Sequence, residues 1–91
     1  MKLKTKTKIK RSKRVIFKEI NGVVYILDPR NATVYTLNET ASFIWQSLKI
    51  PRSSEELISL ITKNFNIERK KSEKDSENFI TQCFNNKLFV K

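Results

Sequence analysis

The stretch VYTLNETASFIWQSL, Val34 to Leu48, changes from a strand pattern to a helix pattern with almost no connector. Its first part continues from Thr33 to Leu37 and is rich in β-branched and aromatic residues, which favour a strand. From Asn38 the apolar residues recur at helical spacing on one face, and Asn38 is a suitable N-cap. The stretch therefore predicts a strand joined directly to a helix.

A β-hairpin is predicted upstream of this stretch. Two apolar segments, Val15–Ile20 and Val23–Leu27, flank Asn21-Gly22, which is a strong two-residue turn signal. The pairs expected in this register are Ile20 with Val23, Ile16 with Leu27 and Phe17 with Ile26. A turn at Asp28-Pro29-Arg30-Asn31 then returns the strand Thr33–Leu37 beside the second strand.

Three amphipathic helices are predicted after the strands. The first ends near Ile50-Pro51. The second begins with Ser53 and Glu56 at capping-box spacing, and the third begins with Ser72 and Asp75 at the same spacing, after a linker at Glu68–Lys71. The order β-β-β-α-α-α predicts an α+β, winged-helix-like fold in which a three-stranded antiparallel sheet is followed by three helices.

The net charge of +10 is concentrated at the beginning of the 91-residue chain. Residues 1–14 hold eight lysines and arginines and no acid. We expect residues 1–13 to form a basic flexible arm and residues 14–91 to form the folded domain. The arm is either a solvated tail or a contact for an acidic partner, and its alternating lysines could form a strand if another segment paired with them.

The composition argues against catalysis. The chain has no histidine, a single cysteine and a single glycine, so it lacks the usual zinc ligands and any glycine-rich phosphate loop. Cys83 lies in the apolar stripe of the third predicted helix and is interpreted as a core thiol, and Trp45 is interpreted as a core anchor. We expect no catalytic residue, no metal and no cofactor, and no signal for a location other than the cytoplasm.

The third strand carries the main indication of binding. Thr33–Leu37 contains neither the charges nor the proline that usually protect a sheet edge. An uncharged edge beside an amphipathic helix is suited to β-augmentation, in which an extended peptide adds as a further strand. The alternative interpretation is that the edge is short or is covered by the basic arm.

Several motifs resemble one family. They are Asn21-Gly22-Val23-Val24-Tyr25-Ile26-Leu27-Asp28, Val34-Tyr35-Thr36-Leu37-Asn38-Glu39-Thr40-Ala41 and Ile44-Trp45. Together they resemble the PqqD-like family of recognition elements, which serve ribosomally synthesised and post-translationally modified peptides. The chain departs from the family at Ser76, where an aliphatic residue is common, and at Lys87, where glycine is common.

The resemblance implies that the chain captures the leader segment of a precursor peptide and delivers it to a modifying enzyme or a leader peptidase. In the family the leader adds to the third strand and lies against the third helix. The corresponding positions here are Thr33, Val34, Tyr35, Thr36 and Leu37 on the strand and Asp75, Ser76, Phe79 and Cys83 on the helix. The tight junction at Leu37-Asn38 is expected to form this groove before the peptide arrives, leaving Tyr35 and Thr36 to pair.

Two pathways and one rival function are compatible with these features. A free-standing element resembles the leader-binding subunit of lasso-peptide systems, which works with a separate cysteine protease, and also the stand-alone partners of radical-SAM enzymes. We favour the lasso system, and in it the basic arm could help to dock the protease. The rival is a DNA-binding winged helix. The third helix argues against it, because its acidic residues Glu73, Asp75 and Glu77 would repel the phosphate backbone.

Overall fold

The computed structural model describes residues 6–91, which form six strands and three helices. In chain order the elements are β1 (Lys8–Arg11), β2 (Ile16–Ile20), β3 (Val23–Asp28), β4 (Thr33–Thr36), α1 (Glu39–Ser47), β5 (Arg52–Ser53), α2 (Ser54–Phe65), α3 (Arg69–Asn85) and β6 (Phe89–Val90). The strands form two antiparallel sheets, in the orders β2-β3-β4 and β5-β1-β6. The predicted α+β class is confirmed, and the second sheet is an addition to it.

The β2–β3 hairpin has the predicted turn and register. Asn21 and Gly22 both adopt left-handed backbone conformations, with φ of 51° and 81°, as a type I′ turn requires. The pairs Ile16 with Leu27, Phe17 with Ile26 and Ile20 with Val23 are all present. On the inner face of this sheet Val24 and Ile26 are fully buried against the helices.

The outer face of the same sheet stays open to solvent and is partly apolar. Ile16, Leu27 and Val34 form a row across the three strands, and all three are exposed. This face of the sheet is therefore not covered by the helices, although it is partly apolar.

The core is centred on Trp45, which is fully buried. Its ring stacks on Phe89 at a centroid distance of 5.8 Å and meets Phe17 edge-on at 5.5 Å. Leu57 and Ile80 bring α2 and α3 into the same cluster. The interpretation of Trp45 as a core anchor is confirmed, and burial of these large side chains supplies most of the driving force for folding.

The first difference from the sequence prediction lies in the basic arm. Residues 8–11 form β1, which pairs with both β5 and β6. Ile9 is only 1% exposed, whereas its neighbours Lys8 and Lys10 face solvent, because side chains alternate along a strand. A flexible arm through residue 13 is therefore wrong for residues 8–11, and residues 1–5 lie outside the described residues.

The second difference is the start of α3, which begins at Arg69 and takes in most of the predicted linker. The chain reverses earlier than predicted because Asn66 ends α2 in a left-handed conformation, with φ of 51°. Ser72 therefore lies within α3, where it is fully buried, instead of capping the helix. The capping box predicted for α2 is confirmed: Glu56 N–H donates to Ser53 Oγ, and Ser53 N–H donates to the Glu56 carboxylate.

The first helix is also shorter than predicted. It ends at Ser47, with Leu48 as its C-cap, before the predicted end near Ile50-Pro51.

Within residues 6–91, none of the helices has the length and apolar character needed to cross a membrane.

Candidate functional site

The junction between β4 and α1 is fixed by short hydrogen bonds. Asn38 Oδ1 accepts from Ala41 N–H at 2.8 Å, which confirms Asn38 as the N-cap. Leu37 N–H donates to the Val24 carbonyl at 2.9 Å. Ser42 Oγ accepts from Val24 N–H at 3.0 Å and donates to the Leu37 carbonyl at 3.1 Å. The helix is therefore bonded to the end of the sheet within one turn of its start.

One edge of β4 is paired with β3, and no strand among residues 6–91 pairs with its other edge. Because Leu37 N–H points toward β3, the alternation of an antiparallel strand directs the peptide groups of Tyr35 toward β3 as well. Those of Val34 and Thr36 then face outward. The expectation that Tyr35 is left to pair is wrong for this reason, and the outward donors belong to Val34 and Thr36.

A cleft runs between this open edge and α3. It consists of two adjoining cavities of about 410 and 350 Å³, which share Asn38, Ala41, Phe79 and Gln82 in their walls. We call it the β4–α3 groove. A cleft with an open strand edge on one side and a helix on the other suits an extended segment whose alternate side chains point inward.

The structure brings most of the predicted site residues to this groove. Val34, Tyr35, Thr36, Leu37, Phe79 and Cys83 line the first cavity, and Asp75 and Phe79 line the second. Thr33 lines neither cavity. It begins β4, where its N–H donates to Asn31 Oδ1 at 3.1 Å.

Ser76, like Thr33, is a predicted site residue that does not line the groove. It is fully buried, lines neither cavity of the groove, and its hydroxyl has no hydrogen-bond partner among residues 6–91. It belongs to the inward-facing row of α3 with Ser72 and Ile80, one turn to either side. The expectation that Ser76 shapes the groove is therefore wrong, since the helix turns this side chain into the core.

Other residues of the groove were not predicted. Gln82, Asn78 and Asn86 place amide groups along the α3 wall, and Leu88 contributes an apolar surface after the helix. Gln82 and Asn86 follow Phe79 at spacings of three and seven, so helical periodicity starting from Phe79 would have found them. These amides can both donate and accept hydrogen bonds.

Cys83 and Asp75 bring a thiol and a carboxylate to the walls of the groove. Cys83 is buried, and burial raises the pKa of its thiol to about 12, so the thiol stays protonated at neutral pH. Nowhere in residues 6–91 do three or more metal-ligating side chains come together. Asp75 forms an ion pair with Lys71 at 3.4 Å on the surface of α3.

A basic region adjoins one end of the groove at Asn86. Arg14, Arg30 and Lys87 line a neighbouring cavity of about 390 Å³. Arg30 binds Asp28 through two hydrogen bonds of 2.9 and 3.0 Å, which lower the pKa of Asp28, and it also donates to the Lys87 carbonyl at 3.0 Å. Lys87 has a φ of 60°, a conformation that favours glycine, so α3 ends here as it would with the glycine common in the family.

The fold and groove define a small α+β binding domain with an open strand edge beside a helix. The family model described as coenzyme PQQ synthesis protein D (PqqD) matches residues 24–88, and the chain therefore belongs to the PqqD family. The resemblance seen in the sequence motifs is thus confirmed. No curated protein sequence matches the chain.

Two solved structures are similar to the chain over most of its length. One is TbiB1 in complex with the TbiA(beta) leader peptide, which has a TM-score of 0.81 and 26% identity and is matched over 88% of this chain and 93% of that one. The other is lasso peptide synthetase B1 complexed with the leader peptide, with a TM-score of 0.80 and 21% identity over 93% and 100% of the two chains. The second likeness shows the fold alone.

Proposed function

We propose that the chain binds the leader segment of a ribosomally synthesised precursor peptide and presents it to a modifying enzyme or a leader peptidase. The leader adds as a further strand to β4 and lies in the β4–α3 groove. The observation that carries this proposal is the open edge of β4, whose outward peptide groups at Val34 and Thr36 lie along a cleft walled by Phe79 and Gln82.

The binding mode divides affinity and specificity between two parts of the site. The outward peptide groups of β4 supply main-chain hydrogen bonds, which any extended peptide can make. Selectivity then comes from leader side chains that reach the apolar surface of Phe79 and Leu88 and the amides of Gln82 and Asn86. The pre-formed junction at Asn38 reduces the ordering that binding would otherwise require.

For the pathway, we place the chain in lasso-peptide biosynthesis, with a separate cysteine protease as the partner and a radical-SAM enzyme as the second choice. The leader-bound state of both structural neighbours supports a leader as the ligand. The second neighbour, which shares the fold of this chain, is a lasso peptide synthetase B1, and this supports the lasso assignment.

The test is a titration with the labelled leader segment of a small precursor peptide encoded beside the gene, at low and physiological salt, with random duplex DNA as the control. We expect salt-tolerant binding to the leader, because main-chain hydrogen bonds and apolar contacts depend little on ionic strength. Salt-sensitive binding to DNA alone would contradict the proposal.

Val34 allows the binding mode to be tested separately. Val34→Pro removes the outward N–H, and proline is tolerated on edge strands, so we expect a folded protein with at least about tenfold weaker leader binding. Val34→Ala is the matched control, since it keeps the N–H and removes most of the exposed side chain. Equal affinities for the two variants would exclude strand addition through Val34.

The DNA-binding alternative gains little from the structure. Because α3 begins at Arg69, it has basic residues that the sequence prediction left in the linker. Two of them are engaged, however: Arg69 pairs with Glu73 at 3.2 Å and Lys71 pairs with Asp75 at 3.4 Å. With these two cations paired, α3 offers fewer free positive charges to a phosphate backbone.

A further inference from the structure

A further cavity with a different character lies on the opposite side of the first sheet from the β4 edge. It has a volume of about 560 Å³ and lies between the connection from β1 to β2 and the end of α1. We call it the Arg11 pocket. None of its lining residues lines the β4–α3 groove, and β2 and β4 flank β3 on opposite sides.

All the charged side chains that line the Arg11 pocket are positive. Its cations are Lys10, Arg11, Lys13 and Lys49, and no carboxylate lines it. Within residues 6–91, none of these four forms an ion pair. Cations crowded in a concave site repel one another, so an anion that entered the pocket would relieve this repulsion.

Arg11 lines the pocket and packs against two aromatic rings. Its guanidinium carbon lies 4.7 Å from the centroid of the Phe17 ring and 5.6 Å from that of Trp45. Its backbone is fixed as well, since Arg11 pairs with Phe89 in the second sheet and Ser12 N–H donates to the Leu88 carbonyl at 2.8 Å. The guanidinium is therefore positioned before any ligand binds.

Arg11 also has unused hydrogen-bonding capacity. Its Nη1 is buried and has no hydrogen-bond partner among residues 6–91. Burial lowers the pKa of Arg11 from its ordinary value, which reflects the cost of desolvating the cation. A carboxylate in the pocket would offset part of that cost through its charge, because opposite charges attract more strongly away from bulk water.

The other residues that line the pocket indicate which kind of molecule bears the anionic group. Val15, Phe17 and Leu48 give the pocket an apolar surface beside the cations. A recess of this size admits a few side chains of an extended peptide. Duplex DNA instead needs a broad basic surface that contacts several phosphates along its backbone. Cations beside an apolar surface are complementary to a peptide in which an acidic side chain has an apolar neighbour.

We infer that the Arg11 pocket is a docking site for an acidic, partly apolar segment of a second protein, with a carboxylate on Arg11 and the rim lysines Lys13 and Lys49 around it. This inference does not depend on the proposed function, because the two sites share no residue. The β4–α3 groove and the Arg11 pocket can be occupied at the same time.

The probe for the test is a capped hexapeptide of alternating glutamate and leucine, with the glutamine analogue as its control. Trp45 is the single tryptophan of the chain and lies beside Arg11, so its fluorescence reports binding locally. We expect the acidic peptide, and not the glutamine analogue, to change this fluorescence in a saturable manner at physiological salt.

The matched variants are the double change Lys13→Glu with Lys49→Glu, and a second double change, Lys63→Glu with Lys91→Glu, which alters the net charge equally at exposed positions outside the pocket. We expect the first to weaken binding of the acidic peptide by about tenfold or more and the second to leave it within about twofold. Leader affinity should be the same in both, provided each protein unfolds at the same urea concentration as the parent.

Three results would overturn the inference. They are equal binding of the acidic peptide by the two double variants, equal binding of the acidic and glutamine peptides, and displacement of the acidic peptide by duplex DNA at physiological salt. The first two would show a general effect of net charge or of apolar contact. The third would assign the pocket to nucleic acid.

Discussion

The hydroxyl of Ser42 lies between the backbone N–H of Val24 and the carbonyl of Leu37, and it bonds to both. A side chain from the first turn of α1 thus completes the pairing of β3 with β4 at the end of the sheet. The strand β4, with its open edge, and the helix α1 are therefore parts of one hydrogen-bonded unit.

Ser42→Ala should lower the free energy of unfolding by about 1–3 kcal/mol, because it leaves a buried N–H and a buried carbonyl without partners. Urea unfolding followed by circular dichroism measures this. Ser47→Ala is the control: Ser47 Oγ bonds within α1 to the Phe43 carbonyl, and its loss should change stability by less than about 0.5 kcal/mol. Equal effects would mean that Ser42 does not join helix and sheet.

Ser76→Ala should stabilise the protein by roughly 1 kcal/mol, because it removes a buried hydroxyl that has no hydrogen-bond partner among the described residues. Leader affinity should stay unchanged, since Ser76 lies outside the groove. Urea unfolding gives the first value and leader titration the second. A loss of affinity in a stably folded variant would place Ser76 in the binding site after all.

Stability should fall with acidification through Glu56. The Lys8 ammonium donates to its carboxylate, and this hydrogen bond together with the Ser53 N–H lowers the pKa of Glu56 from 4.5 to about 2. Because the pKa is lower in the folded state, the unfolded chain binds more protons between these values. The stabilisation is complete above about pH 5 and is lost as the pH falls to 2.

Thermal unfolding between pH 5 and pH 2 tests this linkage. Glu56→Gln should start from a lower melting temperature at pH 5 and lose less of it on acidification than the parent protein. Glu55→Gln, one residue away and exposed, serves as the comparison and should keep the slope of the parent. Parallel curves for all three proteins would contradict the role given to the Lys8–Glu56 pair.

Ile9→Ala should destabilise the protein by about 2–5 kcal/mol, because Ile9 is buried in the core from β1. Lys10→Ala, on the next and exposed position of the strand, should change stability by less than about 0.5 kcal/mol. Urea unfolding of the two variants measures the difference. Similar small effects would show that residues 8–11 behave as the flexible arm that the composition suggested.

The parts of the fold that the sequence predicts are those determined by local chemistry. Asn21-Gly22 specifies a hairpin turn, Asn38 caps a helix, and the Ser53–Glu56 spacing starts another, because each signal acts within a few residues of itself. The same locality explains why β4 and its open edge were predicted together with α1.

The parts that were missed depend on distant partners. β1 pairs with β6 across nearly the whole chain, with Arg11 opposite Phe89, and β5 and β6 are too short to show a strand pattern. In α3 the buried row includes Ser72 and Ser76, so its inward face looks polar in the sequence and the helix start and the position of Ser76 were both misassigned. For the β4–α3 groove, the strand side was therefore easier to predict than the helix side.

The pairing of β1 with β6 brings the first and last strands of the described residues side by side, with Lys10 opposite Val90. A domain whose ends meet in this way can be circularly permuted, for example by joining the ends and reopening the chain at the Asn21-Gly22 turn, with its core pairings retained. It can also be inserted into a surface loop of a larger protein through two neighbouring connections. Neither rearrangement interrupts the pairing of β3 with β4, so the open edge of β4 is expected to be retained.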